Sequence, residues 1–571
     1  GPFPVHVPSP TLMAINGIDS QHPTHLRLTE RNRWLHVALA ALVTLPWLFP
    51  FTAGPSAAAW PWIVSAACGC LLACSAHWSL NRQFLALAAA CAFVTLWAWL
   101  SHPSAAVDVI YLAAGLALIV MAAAVAPDIR LRDSIKTGLL LAALVSAALG
   151  LIQYFGLSAH FAPWVNFAPG GEAYANLRQT NQYATLCWIG MAVLLCTLPS
   201  LHWGYASAAA ILLATASAAS VSRTGLVQGV ALLLLAVLWP ASDRRRRLAL
   251  CAIAGIAYVA ASSWLPLAFE ALTGTLPART LISRISNGAG CQSRMVLWSN
   301  VLQLIAARPW LGWGWGGLDE AHFMTLYPGA RFCEILDNAH NLPLHLAVEL
   351  GVPVSVLVTG GVLAWVWRGR PWRDQDAQRQ LAWGMLALLG IHSLLEYPLW
   401  YGPFQIACGA AIGWLLPAAG ALDHRSRSGT AGRLLAGALL VATGLSAWDY
   451  WRASQVYLPP QQRRAAWRDD PLQEARRSWL FAAPGQFAEL TLTPLTPGNA
   501  REMEQLAQDM LRYSPEPRTV ERLIEAETLL GHEREAVAML ARYRAAFPDD
   551  YARWRDANKL GGRVVSSPTQ D

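Results

Sequence analysis

Residues 225–266 read GLVQGVALLLLAVLWPASDRRRRLALCAIAGIAYVAASSWLP. Two apolar runs, 225–240 and 248–266, each of roughly membrane-spanning length, are separated by a short connection that carries Arg244 to Arg247. Runs this apolar on every face have no polar side to turn to water, so they belong in lipid, and the arginines mark the layer between two crossings. Outward from this stretch the pattern repeats. Hydropathy places about thirteen such segments, centred on 34–51, 57–76, 84–100, 107–126, 137–155, 183–199, 204–221, 225–240, 248–266, 352–367, 380–396, 400–417 and 433–450.

The loops then vote on orientation. Arg27, Arg31 and Arg33 precede the first segment; Arg130, Arg132 and Lys136 follow the fourth, Arg368, Arg370 and Arg373 the tenth, and Arg425 and Arg427 the twelfth. When the segments are counted, all of these fall on the same side as Arg244–Arg247. By the positive-inside bias that side is the cytoplasm. The N-terminus is then inside, while 157–182, 222–224, 267–351, 396–402 and everything after residue 450 face out.

Composition agrees. Of 571 residues, 55% are hydrophobic and 13% charged, too little charge to clothe a water-facing surface of this size. The 27 tryptophans suit a chain with many membrane–water boundaries. The net charge of +7 is accounted for by topology and carries no nucleic-acid footprint. The opening GPFPVHVPSPTL, before Met13, has neither a basic n-region nor an apolar h-region and resembles an expression scar more than a targeting signal. Of ten cysteines, eight sit in apolar runs. Cys291 and Cys333 share a polar loop on the outer side, where oxidising conditions permit a disulfide between them.

The expected fold is an all-α polytopic inner-membrane protein of 12–13 spans, with a tail 1–32, a membrane domain 33–450 that includes the outer loop 267–351, and an outer domain 451–571. The last is set apart by charge, since 17 of the 35 acidic residues lie after Tyr450. Its stretch VERLIEAETLLGHEREAVAMLARYRAAFPDD has helical periodicity, a break at Gly531, Ala536 where two helices would approach, and Pro548 as a stop. This predicts a helical, tetratricopeptide-like hairpin, for which acceptor docking and a stabilising cap are both open readings.

Arginines on the outer surface run against the positive-inside bias and need another reason. Arg178 and Asn181 lie in NLRQTNQYATL, Arg223 in SVSRTGL, Arg284 and Arg294 in the long loop, and Asp337, His340, Asn341 and His345 in DNAHNLPLHLAVELG. A single such arginine can simply snorkel to headgroups or cap a helix. Several together suit a phosphate-bearing ligand at headgroup depth, because guanidinium binds phosphate bidentately and stays charged when desolvated. His340 is the natural proton acceptor, since a free imidazole ordinarily titrates near neutrality, and Asp337 could orient its ring if the segment is helical. His345 is a second, weaker candidate.

These motifs together resemble a known superfamily. Arg294 and Trp298, then PWLGWGWG, then AHNLPLHLAVELGV are similar to the central region of the O-antigen ligases, O-antigen polymerases and bacterial O-oligosaccharyltransferases. NLRQTNQYATL and HSLLEYPLWYGPF look like the pilin-glycosylation ligase type, the general protein O-oligosaccharyltransferases. The resemblance implies a GT-C-like fold and an inverting, metal- and cofactor-independent transferase that takes its glycan from undecaprenyl diphosphate on the periplasmic face. It implies His340 as the essential histidine, Arg223 and Arg294 as diphosphate ligands and Arg178 as a further basic position. Asn181, Arg284, Asp337 and Asn341 join them as substrate-side candidates. One departure bears on the acceptor: the RQPNH-like pattern of the protein-modifying branch reads RQTNQ here, with Thr180 and Gln182 in place of Pro and His. The expected acceptor is Ser/Thr of a periplasmic protein. Lipid A-core and a growing polysaccharide are the alternatives, and a non-enzymatic transporter or flippase is the reading from outside the family.

Overall fold

The computed structural model describes residues 22–277, 279–280, 290–416 and 425–560, and these form helices, turns and loops with no strand among them. Each of the thirteen apolar segments is a helix. They are α1 (His22–Leu48), α2 (Ala59–Ser75), α3 (Arg82–Ser101), α4 (Ala106–Val125), α5 (Ile129–Tyr154), α6 (Thr180–Thr197), α7 (Trp203–Ala219), α8 (Arg223–Leu238) and α9 (Arg244–Thr273). After α10 (Arg294–Ala307), α11 (Leu318–Met324) and α12 (Leu342–Leu350) come α13 (Val352–Gly369), α14 (Ala377–Leu395), α15 (Gly402–Leu415) and α16 (Arg425–Ser454). Several begin earlier than hydropathy alone marks, α9 at Arg244 and α5 at Ile129. The reason is capping: the side chains of Asp243 and Asp128 accept the first free backbone N–H groups, at Arg246 and Arg130, so the helix continues through its basic turn.

The chain is a polytopic membrane protein. Among the described residues, seven helices are long and apolar enough to cross a membrane, within 82–101, 103–125, 129–154, 180–200, 244–273, 352–373 and 429–457. α2, α7 and α8 are apolar but of 17, 17 and 16 residues. Among the seven, α6 lies deepest, whereas α3, α13 and α16 present apolar side chains outward, among them Leu96, Leu363 and Leu445, each more than half exposed. That inversion is stable only against lipid tails.

With hydrocarbon outside, helices gain little from the hydrophobic effect and associate by close packing. α15 shows how. Gly409 and Gly413, four residues apart, press on α4 so closely that a Cβ at either would stand 2.3 Å from the Ile119 carbonyl oxygen or 2.5 Å from that of Ala123.

α8 and α14 each connect two distinct ends of the bundle. At one end Arg247 donates to the side-chain Oε1 of Gln380 (3.0 Å), Arg246 to the backbone carbonyl of Leu201 (3.0 Å) and Arg379 to that of Leu415 (3.1 Å), which gathers the arginine-rich connections. At the other end lies the long loop, pinned by a Cys291–Cys333 disulfide across 42 residues. Its own small core comprises Leu297, Val301, Leu304, Leu318, Phe332, Leu336 and Val348.

After α16 the chain forms α17 (Pro471–Arg476), α18 (Ala482–Leu492), α19 (Ala500–Tyr513), α20 (Pro517–Leu530), α21 (Glu533–Ala546) and α22 (Pro548–Leu560). The expected hairpin is α20–α21, broken at Gly531 (φ +77°), with Ala536 buried. Pro548 starts a further helix, its ring occupying a first-turn position where no N–H is needed. This helical domain rests on the loop: Phe323 of α11 lies in its core, and Arg542 donates to the Met324 carbonyl (3.0 Å).

Candidate active site

The site is built on one carboxylate. Glu396 is the first residue beyond α14, only 7% exposed, and four side chains from three separate regions converge on it. His340 approaches through Nδ1, 2.7 Å from Oε2. Arg294, the first residue of α10, forms an ion pair with Oε1 through Nη2. Gln179 and Asn181, at the start of α6, donate their amides to Oε2 and Oε1, both at 3.3 Å. Burial alone raises the Glu396 carboxyl, but the hydrogen bond and charge of His340 and the charge of Arg294 outweigh it and hold the group below the usual carboxylate range.

Local sequence explains how each group is aimed. Asn181 accepts from the Ser222 hydroxyl at 2.6 Å, and the same Ser222 oxygen caps α8 by accepting the Gly225 N–H at 2.9 Å. One serine therefore ties the start of α6 to the start of α8. The tight turn is 220–222, and Arg223, expected inside it, instead opens α8 immediately after that cap, with its side chain exposed. Arg178 stands at φ +61° just before α6, and its Nη1 is buried without a hydrogen-bond partner. A buried guanidinium N–H left unpaired is costly and suits an anion that completes it.

His340 has φ +51°, a left-handed conformation, with its N–H donated to Asn338 Oδ1 at 2.9 Å. Its ring packs edge-on against Tyr397 (5.1 Å), which stacks on Tyr401 (6.0 Å). With Nδ1–H donated to Glu396, Nε2 is the ring atom that can accept a proton. Arg294 spends one of its five N–H donors on Glu396, and its side chain remains 34% exposed.

Of the residues singled out by sequence, Asn181, Arg294 and His340 meet on Glu396, with Arg178 and Arg223 beside them in the chain segments that carry Gln179, Asn181 and Ser222. Two expectations change. The segment 331–340 is not helical, so Asp337 is not a turn below His340, and the carboxylate partner of the imidazole is Glu396. Asn341 is engaged by the fold, since its Oδ1 caps α12 at Leu344 N–H (3.1 Å) and its amide donates to the Leu394 carbonyl (3.0 Å). Arg284 lies outside the described residues. Sequence reasoning missed Glu396, Gln179 and Tyr397. The signal is present in HSLLEYPLWYGPF, where an acid ends an apolar run, but Asp337, close to His340 in sequence, is the more obvious carboxylate partner.

His345 is placed away from the Glu396 cluster, 2% exposed, with Nε2 3.2 Å from Glu349.

Residues 208–359 match the family model described as O-Antigen ligase, and residues 380–560 the model described as Virulence factor membrane-bound polymerase, C-terminal. Arg223, Arg294 and His340 fall in the first segment and Glu396 in the second. The chain is similar to a General O-oligosaccharyltransferase of Acinetobacter baylyi, 26% identical over 285 residues, 48% of either chain. It is also similar to a ComP-specific O-oligosaccharyltransferase of the same organism, 25% identical over 248 residues, 43% of this chain and 44% of that one. The chain thus spans about half the length of the curated relatives it matches.

Proposed function

We propose, for a chain that belongs to the superfamily of O-antigen ligases and O-oligosaccharyltransferases, the transfer of an oligosaccharide from undecaprenyl diphosphate to a hydroxyl group, most directly Ser/Thr of a periplasmic protein. The observation that carries this reading is the His340–Glu396–Arg294 arrangement: a histidine with its Nδ1 held by a carboxylate and its Nε2 available to a hydroxyl, next to an arginine suited to a diphosphate.

In the proposed reaction the acceptor oxygen attacks C1 of the first sugar while the C1–O bond to the diphosphate breaks. The hydroxyl proton passes to His340 Nε2, and the electron pair of the broken bond leaves on the diphosphate. Arg223 and Arg178 face that developing charge, together with the N–H groups of Arg294 not engaged by Glu396. Glu396 fixes the imidazole tautomer and balances the imidazolium as it forms. One displacement inverts the anomeric centre. The driving energy resides in the lipid–diphosphate linkage, and neither metal nor cofactor enters the scheme. The outer side of the inner membrane is the compartment in which such a donor, the disulfide and the arginine topology are mutually consistent.

The match to the O-Antigen ligase model favours lipid A-core as the second acceptor. Deleting the gene and probing the cell envelope separates the two: loss of glycan from proteins with intact lipopolysaccharide supports the first acceptor, and the reverse pattern replaces it with the second. Purified protein that leaves the lipid-diphosphate glycan unconsumed with either acceptor would overturn the transferase reading.

A further inference from the structure

α12 begins two residues after His340 and carries two ionisable side chains that the proposed reaction does not use. His345 and Glu349, one turn apart, are 2% and 1% exposed and pair at 3.2 Å. Glu349 is the hub of a larger arrangement: Oε2 accepts the Gly316 N–H at 3.0 Å and Oε1 the Leu318 N–H at 3.3 Å, so its carboxylate seats the end of the PWLGWGWGG turn. His345 reaches the other way. Its Nδ1 faces the Ala339 N–H at 3.5 Å, while Trp298 Nε1 donates to the Ala339 carbonyl at 3.1 Å, so the residue before His340 is held at both its N–H and its carbonyl. The imidazole is wedged edge-on against Trp400 (4.9 Å) and Trp315 (5.4 Å), which stack on each other.

A polar pair this deeply buried is a poor stabiliser, since taking it out of water cancels most of its attraction. What this one provides is geometry. His340 keeps a left-handed backbone that a non-glycine residue holds only when its surroundings over-determine it, and the groups that grip the preceding residue are His345, itself fixed by Glu349, and Trp298.

We infer that His345 and Glu349 form a positioning pair, which locks the backbone presenting His340 to Glu396 and joins it to the glycine-rich turn without touching substrate. This rests on His340 being the proton acceptor. Loss of the outer partner that orients a metal-bound histidine lowers activity about 10–100-fold, and the same order is expected for a pair that orients His340.

The test uses the full chain in nanodiscs, an undecaprenyl-diphosphate-linked oligosaccharide as donor and a periplasmic protein extract as acceptor, with rates expressed per folded molecule from size-exclusion and melting curves. Glu349→Gln is expected to lower the maximal rate about 10–100-fold with the donor KM within about threefold, because the pair does not meet the donor. The decisive readout is non-additivity. If the pair acts through His340, the double variant H340A/E349Q is no slower than H340A alone; a general loss of structure multiplies the two defects instead, and that result overturns the inference. Should E349Q fail to fold, H345Q, which keeps an N–H directed at Glu349, is expected to outperform H345A at equal folded yield, and equality of the two likewise overturns it. E349Q or H345A at wild-type rate beside an inactive H340A refutes the pair and leaves the transfer reading intact, whereas H340A at wild-type rate refutes the reading beneath it.

Discussion

Glu396 illustrates what one side chain does in a membrane protein. A carboxylate this buried is tolerated only if its lone pairs are filled, and His340, Arg294, Gln179 and Asn181 fill them. Neutralising it leaves two basic partners facing an amide. Glu396→Gln is therefore expected to lower the transfer rate about 10–100-fold, the value of a charge-assisted hydrogen bond, with protein yield preserved; transfer at the wild-type rate in a purified-enzyme assay would count against its role. His340→Ala is expected to cost about 10²–10⁴-fold, the range for a general base. At this scale sequence was informative about cations and silent about the acid. Arg294 and His340 stand out because a surface arginine and a lone histidine beside it break an expected pattern. Glu396 and Gln179 are unremarkable until the fold brings 179, 294, 340 and 396 together, and no periodicity encodes a contact between residues 102 apart.

At the scale of elements, hydropathy located all thirteen apolar helices, because being apolar on every side has one meaning. Their ends were less legible, since Asp128 and Asp243 extend helices into charged sequence by capping. The loop between α9 and α13 was readable only as polar and glycine-punctuated, and its order comes from features that need partners. The Cys291–Cys333 bond closes a long segment and so contributes about 2–4 kcal/mol by restricting the unfolded chain; Cys291→Ser is expected to lower the melting temperature, and reductant to lower it in the wild type but not in the variant. Inside the same loop, His322 is held between the Tyr327 hydroxyl (2.8 Å) and the Phe332 carbonyl (3.1 Å). Burial and the neighbouring Arg331 push its pKa down to about 3. The unfolded chain thus binds a proton below about pH 6.5 that the folded loop does not, so stability falls as pH drops from there towards 3. A melting series across that range checks this, and the slope should flatten in His322→Gln.

Across the whole molecule, the separation of the arginine-rich end from the Glu396 end follows from counting charges between apolar runs. The seat of the C-terminal domain does not. Arg512 of α19 donates to the Trp315 carbonyl at 2.7 Å and lies 3.5 Å from Asp108 of α4, so one side chain joins the C-terminal domain, the glycine-rich turn and the membrane bundle. Its exposed part weakens the ion pair to well under the value of a buried one, but the carbonyl bond fixes Trp315, which stacks on Trp400. Arg512→Ala is expected to lower transfer severalfold and to increase protease cleavage between 451 and 471, as seen by limited proteolysis; an unchanged pattern on both measures would assign the domain to acceptor contact alone. The repeat-like hairpin was visible in sequence through its amphipathic period and Gly531, whereas the surface it meets was not, because α11 is only seven residues long and places Phe323 in that core.

The scattering of the Glu396 cluster along the chain has a consequence for how the protein is made. Its donors come from residues 179, 181, 294 and 340, and the acceptor they share is not synthesised until 396. During translation Arg294 and His340 are made before the group that organises them. A chain arrested midway has no assembled Glu396 cluster, so under the proposed reaction competence arrives in a single late step of biogenesis.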